Sequence, residues 1–163
     1  MKPLQLLIAI VLTTVATLVS AQGANVAFGT IKQDPSAPVE VTADNLSVDQ
    51  ETGTAIFEGN VLIGQGEMRL SAPRVLVVYG TGQRRIERLE ATGGVTLVSG
   101  PDAAEADRAD YSIDTGTIIM TGEVLLTQGL SALTSDRMVV DLDAGTAQMT
   151  GRVKTVLQTE DGG

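Results

Sequence analysis

Histidine and cysteine are both missing from this 163-residue chain. Their absence removes the commonest general base, the nitrogen and sulfur ligands of zinc sites, thiol nucleophiles and every disulfide. Aromatic residues are nearly as scarce, with two Phe, two Tyr and no Trp against a hydrophobic share of 43%. Any interior is therefore mainly aliphatic, built from Val, Leu, Ile, Met and Ala. Positive charge is also thin: 11 Lys and Arg face 20 Asp and Glu, a formal net charge of −9. That balance argues against a nucleic-acid partner. No phosphate-binding glycine loop opens onto a helix, and no cofactor or metal site is expected.

Glycine, by contrast, is plentiful, with 18 copies, and its placement organises the chain. The stretch Phe57-Glu58-Gly59-Asn60-Val61-Leu62-Ile63-Gly64-Gln65-Gly66 returns in variant form around Gly93, Gly122 and Gly151, at separations of 34, 29 and 29 residues. Each copy puts an apolar residue two before the glycine and a valine two after it. That spacing keeps Phe57, Val61 and Ile63 on one face of a strand. Mid-strand glycine is destabilising, and its usual reasons are a bulge, a bend or close backbone approach. Four recurrences imply a repeating β architecture.

Each unit opens with a second phrase: Ala43-Asp44-Asn45, Ala72-Pro73-Arg74, Ala106-Asp107-Arg108 and Ser135-Asp136-Arg137. An alternating strand, a Gly-containing turn and the anchor strand follow. The opening residue precedes the anchor glycine by 16, 21, 16 and 16 residues, so the second unit carries five more, around Gly80 to Arg88. Two strands per unit predict a meander of antiparallel or solenoid-like strands over residues 39–158. Ahead of it, Met1-Lys2 and the apolar run Leu4 to Val19, closing on Val19-Ser20-Ala21, predict a secretory signal peptide over residues 1–21. The alternative is an uncleaved membrane anchor. Cleavage removes Lys2 and no carboxylate, leaving −10. Residues 22–38, with Pro35 and Pro38, read as a flexible N-terminal arm, and residues 159–163 as a disordered tail.

Chemistry has only carboxylates to work with. Asp107, Asp110 and Asp114 are the candidates for an acid pair or a calcium site. Asp44, Asp107 and Asp136, however, hold equivalent repeat positions, which favours a structural role in each turn, and no enzyme activity is expected. Arg84, Arg85 and Arg88 cluster in the enlarged second unit and would suit an anionic head group. Glu87 and Glu90 are interleaved with them, and an ordinary charged strand surface is the plainer reading. The third candidate is the inward row: Phe57, Val61, Ile63, Met68, Leu70, Leu89, Val95, Leu97, Met120, Val124, Leu126, Met149 and Val153. It is either a packed core or a slot for an acyl chain, since flexible aliphatic and Met surfaces suit hydrocarbon. Periodicity does not separate the two.

These phrases resemble the OstA-like family, whose pattern is F-x-G-N-V-x-[VIM]-x-Q-G. Val41 to Leu46, Leu70 to Val75 and Arg85 to Val95 fit the same family, so the likeness covers about residues 39–157. Gly94 stands where the pattern has Asn, and the last unit lacks a clear Gln-Gly ending. The resemblance implies an all-β, slightly twisted open β-jellyroll and a periplasmic protein of lipopolysaccharide transport. It further implies acyl chains held in an apolar groove, edge-to-edge self-association, and LptC-like and LptD-like jellyroll proteins as partners. A membrane-anchored LptC-like adaptor, a ligand-free structural β-solenoid and a carboxylate-based β-helical enzyme are the alternatives.

Overall fold

The computed structural model of the chain describes residues 23–29, 36–81 and 85–158. Every regular element among them is a strand. In chain order they are β1 (Ala24–Ala27), β2 (Glu40–Thr42), β3 (Asn45–Asp49), β4 (Thr54–Gln65), β5 (Met68–Tyr79), β6 (Ile86–Ser99), β7 (Asp102–Ser112), β8 (Thr117–Gln128), β9 (Ser131–Asp141), β10 (Thr146–Thr150) and β11 (Lys154–Val156). One antiparallel sheet runs β1-β10-β9-β8-β7-β6-β5-β4-β2. Two strands lie off this path: β3 follows β2 along the free side of β4, and β11 follows β10 along that of β9. The middle six strands, β4 to β9, form a meander, with turns at Gly66, Gly100, Gly116 and Gly129, all in the left-handed region, joining β4 to β5 and each strand from β6 to β9 to the next.

The two repeated phrases meet in this sheet. Gly59-Asn60 lies opposite the single residue Pro73, Gly93-Gly94 opposite Asp107, and Gly122-Glu123 opposite Asp136, each at a slip in register. These are β-bulges, and they line up as one row across every long strand. The row ends at Asp44, between β2 and β3, and at Gly151-Arg152, between β10 and β11. In each bulge two successive residues take positive φ, for example Gly122 at 84° and Glu123 at 46°. Asp44, Asp107 and Asp136 thus sit at mid-sheet bulges, not in turns. Asp107 and Asp136 lie inside β7 and β9, because the phrase that looked like a unit boundary is where an unbroken strand bends.

Burial follows from that geometry. On β4, β6 and β8 the inward residues skip four across the bulge: Phe57 to Val61, Ala91 to Val95, Met120 to Val124. On β5, β7 and β9 they skip three: Ala72 to Val75, Ala106 to Ala109, Ser135 to Met138. The sheet therefore folds along the row into two layers whose inner faces share one apolar cluster. The fold is an all-β open jellyroll.

Ala24–Ala27, within the stretch read as a flexible arm, is a strand on β10, and Phe28 after it is 3% exposed. This short segment carries no hydrophobic run of its own; its order comes from a partner strand far away in the sequence. The expected leader and tail lie outside the described residues.

Candidate lipid-binding interior

Eleven of the thirteen residues of the inward row are buried: Val61, Ile63, Met68, Leu70, Leu89, Val95, Leu97, Met120, Val124, Leu126 and Met149. Phe57 is only partly buried. Val153 departs from the row, 38% exposed just before the edge strand β11, because the sheet offers it no opposing layer. Simple alternation does not show the inward residues of β7 and β9, which include Ala104, Ala109, Tyr111, Leu133, Met138 and Val140. Their signal is the three-residue skip across Ala106-Asp107-Arg108 and Ser135-Asp136-Arg137, which resets the alternation in mid-strand.

The interior is filled along its middle and uncovered at both ends. On β3, Leu46 pairs with Phe57 and Val48 with Ala55, so both face inward. They are nevertheless 57% and 60% exposed. At the opposite end Val156 and Leu157 are exposed. Among the described residues no further strand covers β2 and β3, or β1 and β11. Each end presents unpaired backbone together with apolar side chains, the combination that strand addition satisfies.

Along the side away from the bulge row, the rims of the two layers meet through polar groups. Gln65, Ser99 and Asp102 on the rim of one layer are buried, at 3%, 0% and 8% exposure. The Tyr111 hydroxyl, from the other layer, donates to Oε1 of Gln65, whose Nε2 donates to the carbonyl of Ala37 at 2.9 Å. The Gly29 amide donates to Oδ2 of Asp102 at 2.8 Å. Gln128 Nε2 donates to the Ala27 carbonyl at 2.6 Å and to the same Asp102 oxygen at 3.0 Å. The Phe28 amide donates to the carbonyl of Gly145, which ties this segment to the other rim. Burial pushes the Tyr111 phenol up to about 12; the Gln65 bond opposes this shift, and Asp143 adds to it.

The charged candidates are dispersed over the outside. Asp114 pairs with Arg85 at 2.6 Å and Asp110 with Arg108 at 2.5 Å, while Asp107 lies against Gly122 at the bulge. No acid pair forms among them. Among the described residues no cluster of His, Cys, Asp and Glu is arranged to hold a metal. Arg88 contacts Glu90 at 2.8 Å and Glu87 at 3.5 Å, and Arg84 lies outside the described residues. The Arg88 hydrogen bond, with Arg108 on its other side, holds the Glu90 carboxyl below its ordinary range. These are pairs along and between neighbouring strands on a solvated face, each a small contribution to stability.

An aliphatic interior inside a folded antiparallel sheet, with a polar rim and two open edges, defines the class: an OstA-like β-jellyroll. The family model for the LptA/(LptD N-terminal domain) LPS transport protein matches residues 40–155, more than half of the chain. The chain belongs to that family. It is 28% identical over 60 residues to the lipopolysaccharide export system protein LptA of Escherichia coli (strain K12), covering 37% of this chain and 32% of that protein. It is 29% identical over 90 residues to an uncharacterized protein of Rhizobium meliloti (strain 1021), 51% of this chain and 48% of that one. The matched stretch thus spans a third to a half of these curated relatives. LptH of Pseudomonas aeruginosa, described as the LptA-homologous periplasmic component of the lipopolysaccharide transport device, superposes with a TM-score of 0.68 at 17% identity. That match covers 78% of this chain and 99% of LptH, and it carries the fold.

Proposed function

We propose that this chain is a periplasmic, non-enzymatic carrier that holds the acyl chains of lipopolysaccharide between its two layers and passes them along. In this reading it joins end to end with copies of itself and with LptC-like and LptD-like jellyrolls. The supporting observation is the aliphatic column running from exposed Leu46 and Val48 on β3 at one edge, through the buried rows of β4 to β8, to Leu133 on β9 beside the other edge. Each methylene taken out of water contributes roughly 0.8 kcal/mol, so acyl chains need no polar recognition inside. In this reading Arg85, 65% exposed on the connection leading into β6 and paired with Asp114, exchanges that carboxylate for a head-group phosphate.

A ligand-free structural unit is the second reading, favoured by how completely the middle of the interior is filled. Binding decides between them. Purified lipopolysaccharide should comigrate with the protein, whereas its fully deacylated oligosaccharide should not. Failure of both to bind would leave the structural unit, and equal binding of both would place recognition on the sugars.

A further inference from the structure

Building on the carrier reading, we infer that lipopolysaccharide enters sideways, through the seam between the two rims, and that Gln65–Tyr111 and Asp102–Gln128 with Ala27–Gly29 form the latch that must part. A lipid whose tails lie between the layers and whose head stays in water needs an unbroken slit from interior to solvent along its length. The bulge row offers none, because β4 to β9 run covalently through it from one layer to the other. An end of the sheet offers an opening but no slit. The opposite side is where one can form: among the described residues no strand crosses it, and the rims are joined by side chains, by Ala37 and by the segment Ala27–Gly29, whose chain leads on from β1 in one layer to β2 in the other.

The composition of that line supports a closure that can open. Elsewhere the interior is largely aliphatic, with Ser135 at the bulge of β9 the one other buried polar residue among those described; here it carries a glutamine, a serine, a carboxylate and a phenol, all buried. Hydrogen-bonded polar groups can exchange one another for water when the rims separate, whereas an apolar seam would lose its burial with nothing in return. The near-complete burial of Ile63, Leu97 and Met120 means the closed form has no room for a tail, so binding must select an opened one. The glutamine of the repeated Gln-Gly ending thereby acquires a purpose: Gln65 and Gln128 end β4 and β8 and both face the seam.

The natural chain has no cysteine, so a paired Gln65→Cys/Tyr111→Cys variant can be bridged by a short, reducible bis-thiol reagent. Bridging should slow association with purified lipopolysaccharide at least about tenfold, by denying the binding-competent state. Reduction should restore it, and each single-cysteine variant treated alike, which loses the Gln65–Tyr111 bond without gaining a bridge, should bind at least as fast as the parent. The milder Gln65→Leu/Tyr111→Phe pair, which keeps the volume of the seam, should speed association. Unchanged association of the bridged protein would overturn the inference and put uptake at the ends. Unchanged association of the milder pair would show that these bonds do not restrain opening. Absence of binding by the parent itself would instead overturn the carrier reading, and the latch with it.

Discussion

Gly122 holds φ at 84°, and a side chain there would run into the carboxylate of Asp107 on the next strand. Gly122→Ala should therefore cost about 1–3 kcal/mol in urea unfolding, from backbone strain and collision together, with partial relief from Asp107→Ala. At Gly94, φ is 95° but the space is open, so Gly94→Ala should show the strain alone and cost less. Tyr111 gives a second test. Its phenol rises from 10.0 to about 12 in the folded protein, so the unfolded chain ionises first. The stability it contributes is complete below pH 10 and declines as pH climbs from 10 through 12. Tyr111→Phe should lose that part of the alkaline decline. A decline of unchanged steepness in the variant would show that Tyr111 does not control it. Single residues were legible where alternation was simple: Ile63, Leu97 and Leu126 are core on parity alone. Tyr111 and Met138 were hidden because the alternation resets inside their strands.

The bulge row is an element-scale feature made of two sequence phrases. Both were visible as repeats, yet sequence spacing cannot show that Gly59 of one phrase lies against Asp44, and Gly93 against Pro73, across a strand pair. Proline in the middle of β5 follows from the same row, since a bulge relieves one residue of its ladder bond. Strand β1 was illegible for a different reason. Ala24-Asn25-Val26-Ala27 has no local preference, and its register is set by Thr146 to Met149. The end strands carry the testable consequence. Leu46→Arg with Val48→Arg on β3 places charge on an exposed edge, so the folded monomer should keep its unfolding midpoint. Under the proposed end-to-end stacking, sedimentation should show shorter assemblies for this variant than for the parent. Assemblies of equal length would mean that self-association does not use this edge.

At the scale of the whole molecule, one feature carries stability and, in the proposed reading, function as well: the aliphatic column between the layers. Shortening it should be costly, with Met120→Ala losing about 2–5 kcal/mol by creating a cavity. Its composition was readable from the scarcity of aromatics and the parity of four anchor strands. Its state of filling was not, because a packed core and an acyl slot share the same pattern of alternation. The most direct measurement is a photocrosslinking scan with purified lipopolysaccharide, placing the probe at Val61, Leu97 and Val124 inside and at Thr96 outside. Crosslinks from the three inner positions and none from Thr96 are the expected result. Crosslinks from Thr96 alone, or from no position in a folded protein, would contradict a lipid-carrying interior.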